Sequence, residues 1–337
     1  MDARRIDTDV LIVGGGPAGA AAAITCARNG VRVMLCERDA TSGERPGETL
    51  HPGIEPLLAQ LGVADRLAAV TGARHPGIWI EWGSARRFEG FGGDEHGAWR
   101  GFQVWRADFD AMLLDRAREL GVDVRRPCAA TGVLDDARTR TTDGVVSARV
   151  RVDATGRARW LGRALGVPAE PRSRRLFARY GYVEGECPPR DDAPALVADV
   201  EGWTWTARVK PRLYQWTRVA FNGERTAADW LPDEFAGMTR RGPARGADVT
   251  WRMAERVADA DWFMVGDAAA TLDPTSSHGV LRALTSGMMA GHLATAIVQE
   301  RAPAHEAAAV YHGWLADWFA ADAARLGEFY RRLNVEV

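Results

Sequence analysis

The stretch DVLIVGGGPAGAAAAITCARNGVRVMLCERD, residues 9–39, decides the fold. Its apolar beginning, Val10–Val13, predicts a buried strand. The pattern GxGxxG follows at once, over residues 14–19. A helix is then predicted over 20–28 and a second buried strand over 31–36. Strand, glycine turn, helix and strand in this order predict a βαβ unit that opens a parallel sheet.

The glycine turn predicts a dinucleotide-binding site. Gly14 permits the tight turn, Gly16 lets the backbone approach a pyrophosphate, and Gly19 lets the helix pack closely on the strand. Free N–H groups at the start of the helix then face the phosphates. Glu37, at the end of the second strand, is expected to accept hydrogen bonds from a ribose. The competing interpretation is a tight βαβ turn that binds no ligand.

Composition narrows the class of protein. The chain has 337 residues and a formal net charge of -2, which argues against nucleic acid as the main partner. Its four cysteines are widely spaced, without a CxxC pair or metal-ligand spacing, and predict reduced thiols in a cytoplasmic protein. Arg282 and His292 interrupt the apolar segment 279–298, so no membrane span is expected.

Three later motifs extend the first one. The letters D-A-T-G at 153–156 end a predicted strand, and Gly266–Asp267 ends another. The pair Asp273–Pro274 then precedes a turn and a long helical pattern. In this order, with an arginine-led helix at 105–124 between them, the motifs resemble the FAD-dependent aromatic hydroxylase superfamily. That superfamily includes para-hydroxybenzoate hydroxylase and the tryptophan halogenases, and the resemblance extends to about residue 300.

The resemblance implies FAD as the dinucleotide. Asp267 is then expected to hold the ribityl chain, and residues 274–279 are expected to abut the isoalloxazine ring. A helix that begins near Gly279 would direct its dipole at the flavin and stabilise the negative charge of the reduced ring. The competing interpretation is a helix capped by a buried aspartate. The residues expected to contact FAD are Gly14, Gly16, Pro17, Ala18, Gly19, Glu37, Arg38, Arg45, Arg106, Ala130, Asp153, Gly266, Asp267, Pro274, Ser277, Gly279 and Val280.

The remaining segments predict a substrate domain of antiparallel strands rich in aromatic and β-branched residues. We therefore expect an α/β fold in which a Rossmann-like FAD-binding domain of the para-hydroxybenzoate hydroxylase type is interleaved with an antiparallel sheet and followed by a C-terminal helix. That helix is expected to pack on the body rather than bind a partner. The predicted bounds are 1–75, 99–166 and 256–300 for the FAD-binding domain, 76–98 and 167–255 for the substrate sheet, and 303–337 for the helical segment.

The substrate region departs from the tryptophan halogenases. The segment GWTWT, 202–206, resembles their W-x-W-x-I-P signature but lacks the I-P. Trp203 and Trp205 share one face of a strand, where they either pack across strands or screen the active site. Halogenases also use an early lysine, where this chain has His75, and Lys210 lies too far along the chain to replace it. A glutamate that precedes Ser–Thr in their flavin loop is also missing.

These departures favour oxygen transfer over halogenation. Segments 45–53 and 273–284 resemble a narrower group, the flavoproteins that hydroxylate a tryptophan inside a peptide or protein. The predicted activity is monooxygenation of an aromatic ring, most directly that indole, through a C4a-hydroperoxyflavin and without halide incorporation. Three other activities stay open: halogenation of an indole or phenol, reduction of the geranylgeranyl-reductase type, and a flavin-binding chaperone that clasps a peptide.

Hydroxylation of an indole ends with loss of a ring proton, and histidine suits that step because its pKa is near neutral. The candidates are His278 in the flavin loop, His75 and His51, each of which has the competing interpretation of an ordinary loop histidine. Electrons are expected from NADH or NADPH, or from a partner flavin reductase, and O₂ is the second substrate. The expected partner is a peptide or protein that carries tryptophan, with no role for nucleic acid or a membrane.

Overall fold

The computed structural model describes residues 4–41, 43, 45–46, 48–95, 97–134 and 138–337, and only the backbone of Ser276. The helices are α1 Pro17–Arg28, α2 Glu55–Leu61, α3 Leu67–Val70, α4 Arg106–Glu119, α5 Trp160–Ala164, α6 Pro188–Asp192, α7 Gly279–Val298 and α8 Ala304–Arg331. The strands are β1 Arg5–Val13, β2 Val33–Cys36, β3 Thr49–Leu50, β4 Thr71–His75, β5 Gly77–Glu81, β6 Arg87–Gly90, β7 Gly93–Asp94, β8 Gly97–Ala98, β9 Gly101–Val104, β10 Asp123–Arg125, β11 Ala130–Val133, β12 Arg138–Thr141, β13 Gly144–Asp153, β14 Ala169–Pro171, β15 Phe177–Glu184, β16 Ala195–Ala198, β17 Gly202–Lys210, β18 Leu213–Ala220, β19 Thr239–Asp248, β20 Arg252–Ala254, β21 Ala258–Asp259, β22 Trp262–Met264 and β23 Ala270–Thr271.

One large sheet carries the dinucleotide turn. Strands β10, β2, β1 and β13 lie side by side in this order and are parallel, and β22 adds to β13 in the same direction. Val10–Val13 is buried on both faces of the sheet, since Val10 and Ile12 belong to the cluster that contains helix α1, and Leu11 and Val13 belong to a second cluster. The carboxyl ends of β1, β13 and β22 therefore meet at one edge, where a ligand of such a sheet binds.

A second sheet has seven strands in the order β19-β15-β18-β17-β16-β5-β6. Its neighbours are antiparallel except for β16 and β5, which are parallel. Two stretches of chain far apart in sequence, 77–90 and 177–248, thus share one sheet. The expected α/β fold with an inserted sheet is confirmed by this arrangement, whereas the domain bounds stay a prediction.

Helices α1 and α7 pack against each other through small residues. A Cβ atom at Gly287 would lie 2.1 Å from the carbonyl oxygen of Ala18, and one at Gly291 would lie 2.8 Å from the Thr25 side chain. Such close approach brings the start of α1 and the start of α7 to the same region. No helix among the described residues is long and apolar enough to span a bilayer.

The long C-terminal helix α8 packs on the body, as expected. Tyr311 and Tyr330 are fully buried, and Leu315 and Leu326 are nearly so. The buried positions follow helical spacing, which places one apolar stripe against the protein. This helix contributes to two of the four hydrophobic clusters of the described residues, the one at the FAD-binding sheet and the one at the seven-stranded sheet, and so joins the two sheets.

Candidate active site

The dinucleotide turn has the shape that a pyrophosphate requires. Gly14 has φ +112°, and a Cβ atom there would lie 2.3 Å from the Ala154 carbonyl oxygen. A Cβ at Gly19 would lie 1.9 Å from the Gly14 carbonyl oxygen. No atom lies within 4 Å of the Cβ position of Gly16, so the space in front of α1 is open. The helix begins at Pro17 without a side-chain cap, which leaves its first N–H groups for a ligand.

Glu37 holds this turn from the second strand. Its Oε2 accepts a hydrogen bond from the Gly15 N–H at 2.7 Å, and its Oε1 accepts one from the Asp39 N–H at 3.0 Å. A carboxylate accepts about four hydrogen bonds, so capacity remains for ribose hydroxyls. Glu37 also lines a small pocket together with Gly16 and Arg45. Arg45 forms an ion pair with Asp39 at 3.1 Å.

Gly266 and Asp267 lie close to the first turn. Gly266 has φ +56°, and a Cβ there would lie 3.2 Å from the Ala18 side chain. The Asp267 carboxylate is exposed and lines a cavity of about 300 Å³. Guanidinium groups outnumber carboxylates in this cavity, which favours an anionic occupant. The charged residues that line it are Arg157, Arg159, Arg163, Asp248, Arg252 and Asp267.

Two residues expected at FAD are engaged by the protein itself. The Arg106 guanidinium is nearly buried and donates to both carboxylate oxygens of Asp110 at 2.9 and 3.0 Å, and to the Pro46 carbonyl at 2.8 Å. Asp153 is fully buried and accepts from the Thr155 N–H at 3.0 Å and the Leu161 N–H at 2.8 Å. Burial raises the pKa of this carboxyl. Their direct contact with FAD stays a prediction, and the visible role of both is to position backbone.

The other expected contacts divide by exposure. Arg38 has an exposed side chain that lies 3.6 Å from Asp39. Ala130 begins β11 and is half-buried. At the flavin loop, Pro274 is exposed, and no atom lies within 4 Å of the Cβ position of Gly279. Val280 is buried behind it. The start of α7 is therefore open to a ligand at Gly279.

A buried hydrogen-bond network holds the loop 273–279, which is expected to abut the flavin and is called the flavin loop. Asp273 accepts from the Thr275 N–H at 3.0 Å and from the Trp251 indole N–H at 2.6 Å. The Tyr330 hydroxyl lies 3.1 Å from the Thr275 hydroxyl and accepts from the Trp203 indole N–H at 2.8 Å. Trp203 therefore packs in the sheet and also supports the loop through Tyr330. Ser277, at φ +53°, ends the turn before α7.

The three candidate histidines belong to one cluster of rings, in which Phe91 contacts His51 and His75, and His278 contacts His51. The rings of His51 and His75 each lie 5.5 Å from Phe91, and the rings of His51 and His278 lie 5.4 Å apart. The four rings come from four separate parts of the chain. His51 follows β3, His75 ends β4, Phe91 lies between β6 and β7, and His278 precedes α7. The structure therefore brings all three candidates together, although their catalytic roles stay predictions.

Burial keeps these histidines neutral. It lowers the pKa of His278 to about 4 and the pKa of His75 to about 4, and it also lowers the pKa of His51. The His75 Nδ1 lies 3.0 Å from the Gly77 carbonyl and its Nε2 lies 3.0 Å from the Gln103 side-chain nitrogen. Both nitrogens of His75 are thus in use. The His51 Nδ1 accepts from the Gly53 N–H at 3.0 Å, which leaves Nε2 free.

Lys210, the single lysine of the chain, lies elsewhere. Its Nζ forms an ion pair with Asp108 at 2.8 Å, and its side chain is 41% exposed. Lys210 therefore contributes no amine to the cluster of candidate histidines.

Helix α8 contributes charged side chains beside His278. Asp322 pairs with Arg282 at 3.2 Å and with Arg325 at 2.6 Å, and these charges act on the His278 ring. Phe91, Trp251, Tyr330 and Asp322 were not predicted as site residues. Nothing in their local sequence marks them, because each reaches the site from an element that is distant along the chain.

Comparison with known proteins defines the family. Residues 95–302, more than half of the chain, match the tryptophan halogenase family model, and residues 7–164 match the FAD-binding domain model. The chain belongs to the tryptophan halogenase family. The predicted superfamily is thereby confirmed, and this chain is a FAD-binding, flavin-dependent enzyme.

Individual relatives of this halogenase-family chain are distant. A 1H-pyrrole-2-carbonyl-(peptidyl-carrier protein) brominase of Pseudoalteromonas luteoviolacea is 28% identical, over 84% of this chain and 76% of that protein. A menaquinone reductase of Mycobacterium tuberculosis is 29% identical, over 85% and 76%. The solved structure of the myxobacterial chondrochloren halogenase CndH superposes with a TM-score of 0.86 at 25% identity, over 98% of this chain and 84% of the other. The brominase and the chondrochloren halogenase favour halogenation over the hydroxylation that the sequence motifs predicted, and the menaquinone reductase supports neither reaction.

Proposed function

We propose that this chain is a flavin-dependent halogenase that acts on an electron-rich aromatic ring attached to a carrier protein or peptide. The observation that carries the proposal is the cluster of aromatic rings formed by His51, His75, His278 and Phe91 next to the open start of α7. An aromatic lining holds a flat ring by edge and face contacts. The family and the carrier-linked substrate named for the brominase relative support the reaction and the substrate class.

Bound FAD, once reduced, supplies with O₂ the oxidising equivalent that turns a halide into an electrophile. The protein contributes the position and the electrostatics. No side chain caps the start of α7, so its backbone N–H groups and dipole are directed at the loop. That arrangement stabilises negative charge beside Gly279. We further propose that NADH or NADPH provides the electrons, directly or through a flavin reductase.

His51 and His278 are proposed to remove the ring proton. Both are neutral at pH 7 because burial lowers the pKa of each imidazole. A neutral imidazole has a lone pair to accept a proton. The proton on an aromatic ring that has just been attacked by an electrophile is strongly acidic, so a weak base suffices. His75 is proposed to position the cluster, since Gly77 and Gln103 occupy both of its nitrogens.

Hydroxylation of a tryptophan indole is the second candidate, and one observation favours it. The cluster contains no lysine amine, because the single lysine is paired with Asp108 outside it. An amine is the group that the resemblance to the halogenases leads one to expect between flavin and ring. His75 stands near that position without a free nitrogen. Transfer of oxygen itself requires no halide and no amine.

One assay separates the two reactions. The FAD-loaded protein is supplied with NADH, a flavin reductase, O₂ and bromide, and with pyrrole, phenol and indole rings linked to a carrier protein or peptide. Mass spectrometry then reads the product. A bromine in place of a hydrogen supports the halogenase, provided that omission of bromide removes the product.

A gain of one oxygen that does not depend on bromide would replace the main proposal by hydroxylation. If neither product forms with any ring while NADH is still consumed, both candidates are wrong. When variants of the candidate histidines are assayed, His292→Ala serves as their matched control, because that exposed histidine lies on α7 away from them.

A further inference from the structure

Two cysteines that the proposed reaction does not use lie side by side. Cys36 ends β2 and Cys128 follows β10, and their Sγ atoms are 3.4 Å apart. All four cysteines are free thiols in this structure. The other two, Cys26 and Cys187, lie in different cores and have no cysteine neighbour among the described residues.

The backbone holds the two cysteines in register. Arg125 pairs with Cys36 across the parallel strands β10 and β2. The Cys128 N–H donates to the Glu37 carbonyl at 2.7 Å, and the Glu37 N–H donates to the Arg125 carbonyl at 2.9 Å. A disulfide has an S–S length near 2.05 Å, so the sulfurs need to approach by roughly 1.4 Å. Side-chain rotation covers that distance without separation of the strands.

The chemical state of the pair favours oxidation. The contact with the Cys36 sulfur lowers the pKa of Cys128 to about 6, whereas the same contact and burial raise the pKa of Cys36. The thiolate is the form of cysteine that attacks an oxidant. Both thiols are buried, and the partly buried Ala130 and Trp160 pack against their cluster, so an oxidant has to be small to reach them. A small uncharged oxidant meets that condition.

We propose that Cys36 and Cys128 form a redox-modification site, a dithiol that hydrogen peroxide converts into a disulfide. The Cys128 thiolate attacks one peroxide oxygen, which gives a sulfenic acid and releases hydroxide. The Cys36 sulfur then attacks the Cys128 sulfur, and the second oxygen leaves as water. In total two thiols lose two electrons and two protons, and one peroxide becomes two molecules of water.

The site is placed to act on FAD binding. Glu37 follows Cys36 directly, and its carboxylate holds the Gly15 N–H of the dinucleotide turn. A disulfide would fasten the end of β2 to the segment after β10 and close a long loop of the chain. Reduced flavin gives hydrogen peroxide with O₂ when no substrate consumes the oxygen. The oxidant would therefore arise in the same protein as the two thiols.

The test uses the intact FAD-loaded protein and added hydrogen peroxide, so it does not depend on the proposed function. Free thiols are blocked after treatment, and tryptic peptides are compared without and with a reductant. We expect one new reductant-sensitive species that joins the peptides of Cys36 and Cys128. The melting temperature should rise by roughly 5–10 °C, because the linked unfolded chain has less freedom. Cys187→Ser should show the same link and the same rise, and Cys128→Ser should show neither.

Two results would overturn the proposal. One is that both thiols remain open to alkylation after peroxide and after the thiol oxidant diamide. The other is that Cys128 is oxidised to a sulfinic acid while Cys36 stays a free thiol. A link that forms without any change in melting temperature or FAD release would remove the proposed effect on FAD binding and leave only the modification.

Discussion

The dinucleotide turn is built from neighbouring residues, whereas the cluster of candidate histidines is built from distant segments of the chain. The turn comes from residues 14–19, and its geometry depends largely on contacts between neighbours, to which Cys36, Glu37 and Ala154 add contacts from outside. The cluster joins His51, His75, Phe91 and His278 from separate elements. A site of the first kind is robust and shared by many enzymes that bind the same cofactor. A site of the second kind changes with every shift of packing, so specificity belongs there.

The strongest way to separate the two regions is Gly16→Val. The position has open space in the protein alone, so the fold should survive, whereas the branched side chain would occupy the place of the pyrophosphate. We expect loss of FAD and of all activity, with a far-ultraviolet spectrum like that of the parent. Gly313→Val is the control, because no atom lies within 4 Å of that Cβ position either and it lies on α8. Full FAD occupancy in Gly16→Val would show that the cofactor binds elsewhere.

His278→Ala addresses the cluster alone. The ring has no side-chain capping role at α7, so its loss should leave folding and FAD binding intact. Product formation should fall by about 10²–10⁴-fold if the imidazole acts on protons. Oxygen uptake should continue and end in peroxide. The measurement is product per NADH consumed, with His292→Ala as control, and a yield near that of the parent would assign proton removal to His51 or to water.

Tyr330→Phe tests the link between the cluster and α8. The change removes one hydroxyl that accepts from Trp203 and lies beside Thr275, and so leaves buried polar groups without a partner. We expect a loss of about 1–3 kcal/mol in unfolding free energy and a lower product yield with FAD still bound. Tyr311→Phe is the matched control on the same helix, since its hydroxyl donates to the Met264 carbonyl at 2.8 Å, away from the loop. Equal yields in the two variants would make Tyr330 a packing residue only.

The smallest effect is expected from pH. His75 has a pKa of about 4 in the fold against 6.5 for the unfolded group, so the unfolded chain binds protons first as pH falls. Stability from this residue is complete above pH 6.5 and is lost between 6.5 and 4, by about 2 kcal/mol between pH 7 and pH 5. Denaturant unfolding at both pH values should show a smaller difference for His75→Gln than for the parent. The exposed His305→Gln should keep the parent difference, and an unchanged slope in His75→Gln would contradict the assignment.

Sequence reasoning reached the site only in part. It selected His51, His75 and His278 individually, and the structure brings their rings into one cluster with Phe91, whereas their catalytic roles stay predictions. It expected Arg106 and Asp153 to contact the cofactor. In the structure the Arg106 guanidinium donates to Asp110, and the Asp153 carboxylate accepts from backbone N–H groups of the turn that follows it. Whether an arginine faces a ligand or a neighbouring carboxylate depends on which atoms lie within 3 Å, and periodicity does not contain that information. The motifs also resembled those of the halogenases. The absence of the early lysine, the I-P pair and the flavin-loop glutamate nevertheless led to hydroxylation as the main prediction.

Order along the chain was enough for the βαβ unit, because a tight turn, a helix start and a buried strand each depend on residues a few positions apart. FAD was instead inferred from the resemblance of the later motifs, and the match to the FAD-binding domain model confirms it. Tertiary packing, in contrast, decided which residues contact each histidine. Tyr330 reaches Thr275 and Trp203 only because α8 folds back across both sheets. Cys36 meets Cys128 only because β2 and β10 lie side by side. Contacts between distant segments arise from burial of whole faces, and that energy belongs to the assembled fold rather than to any stretch of letters.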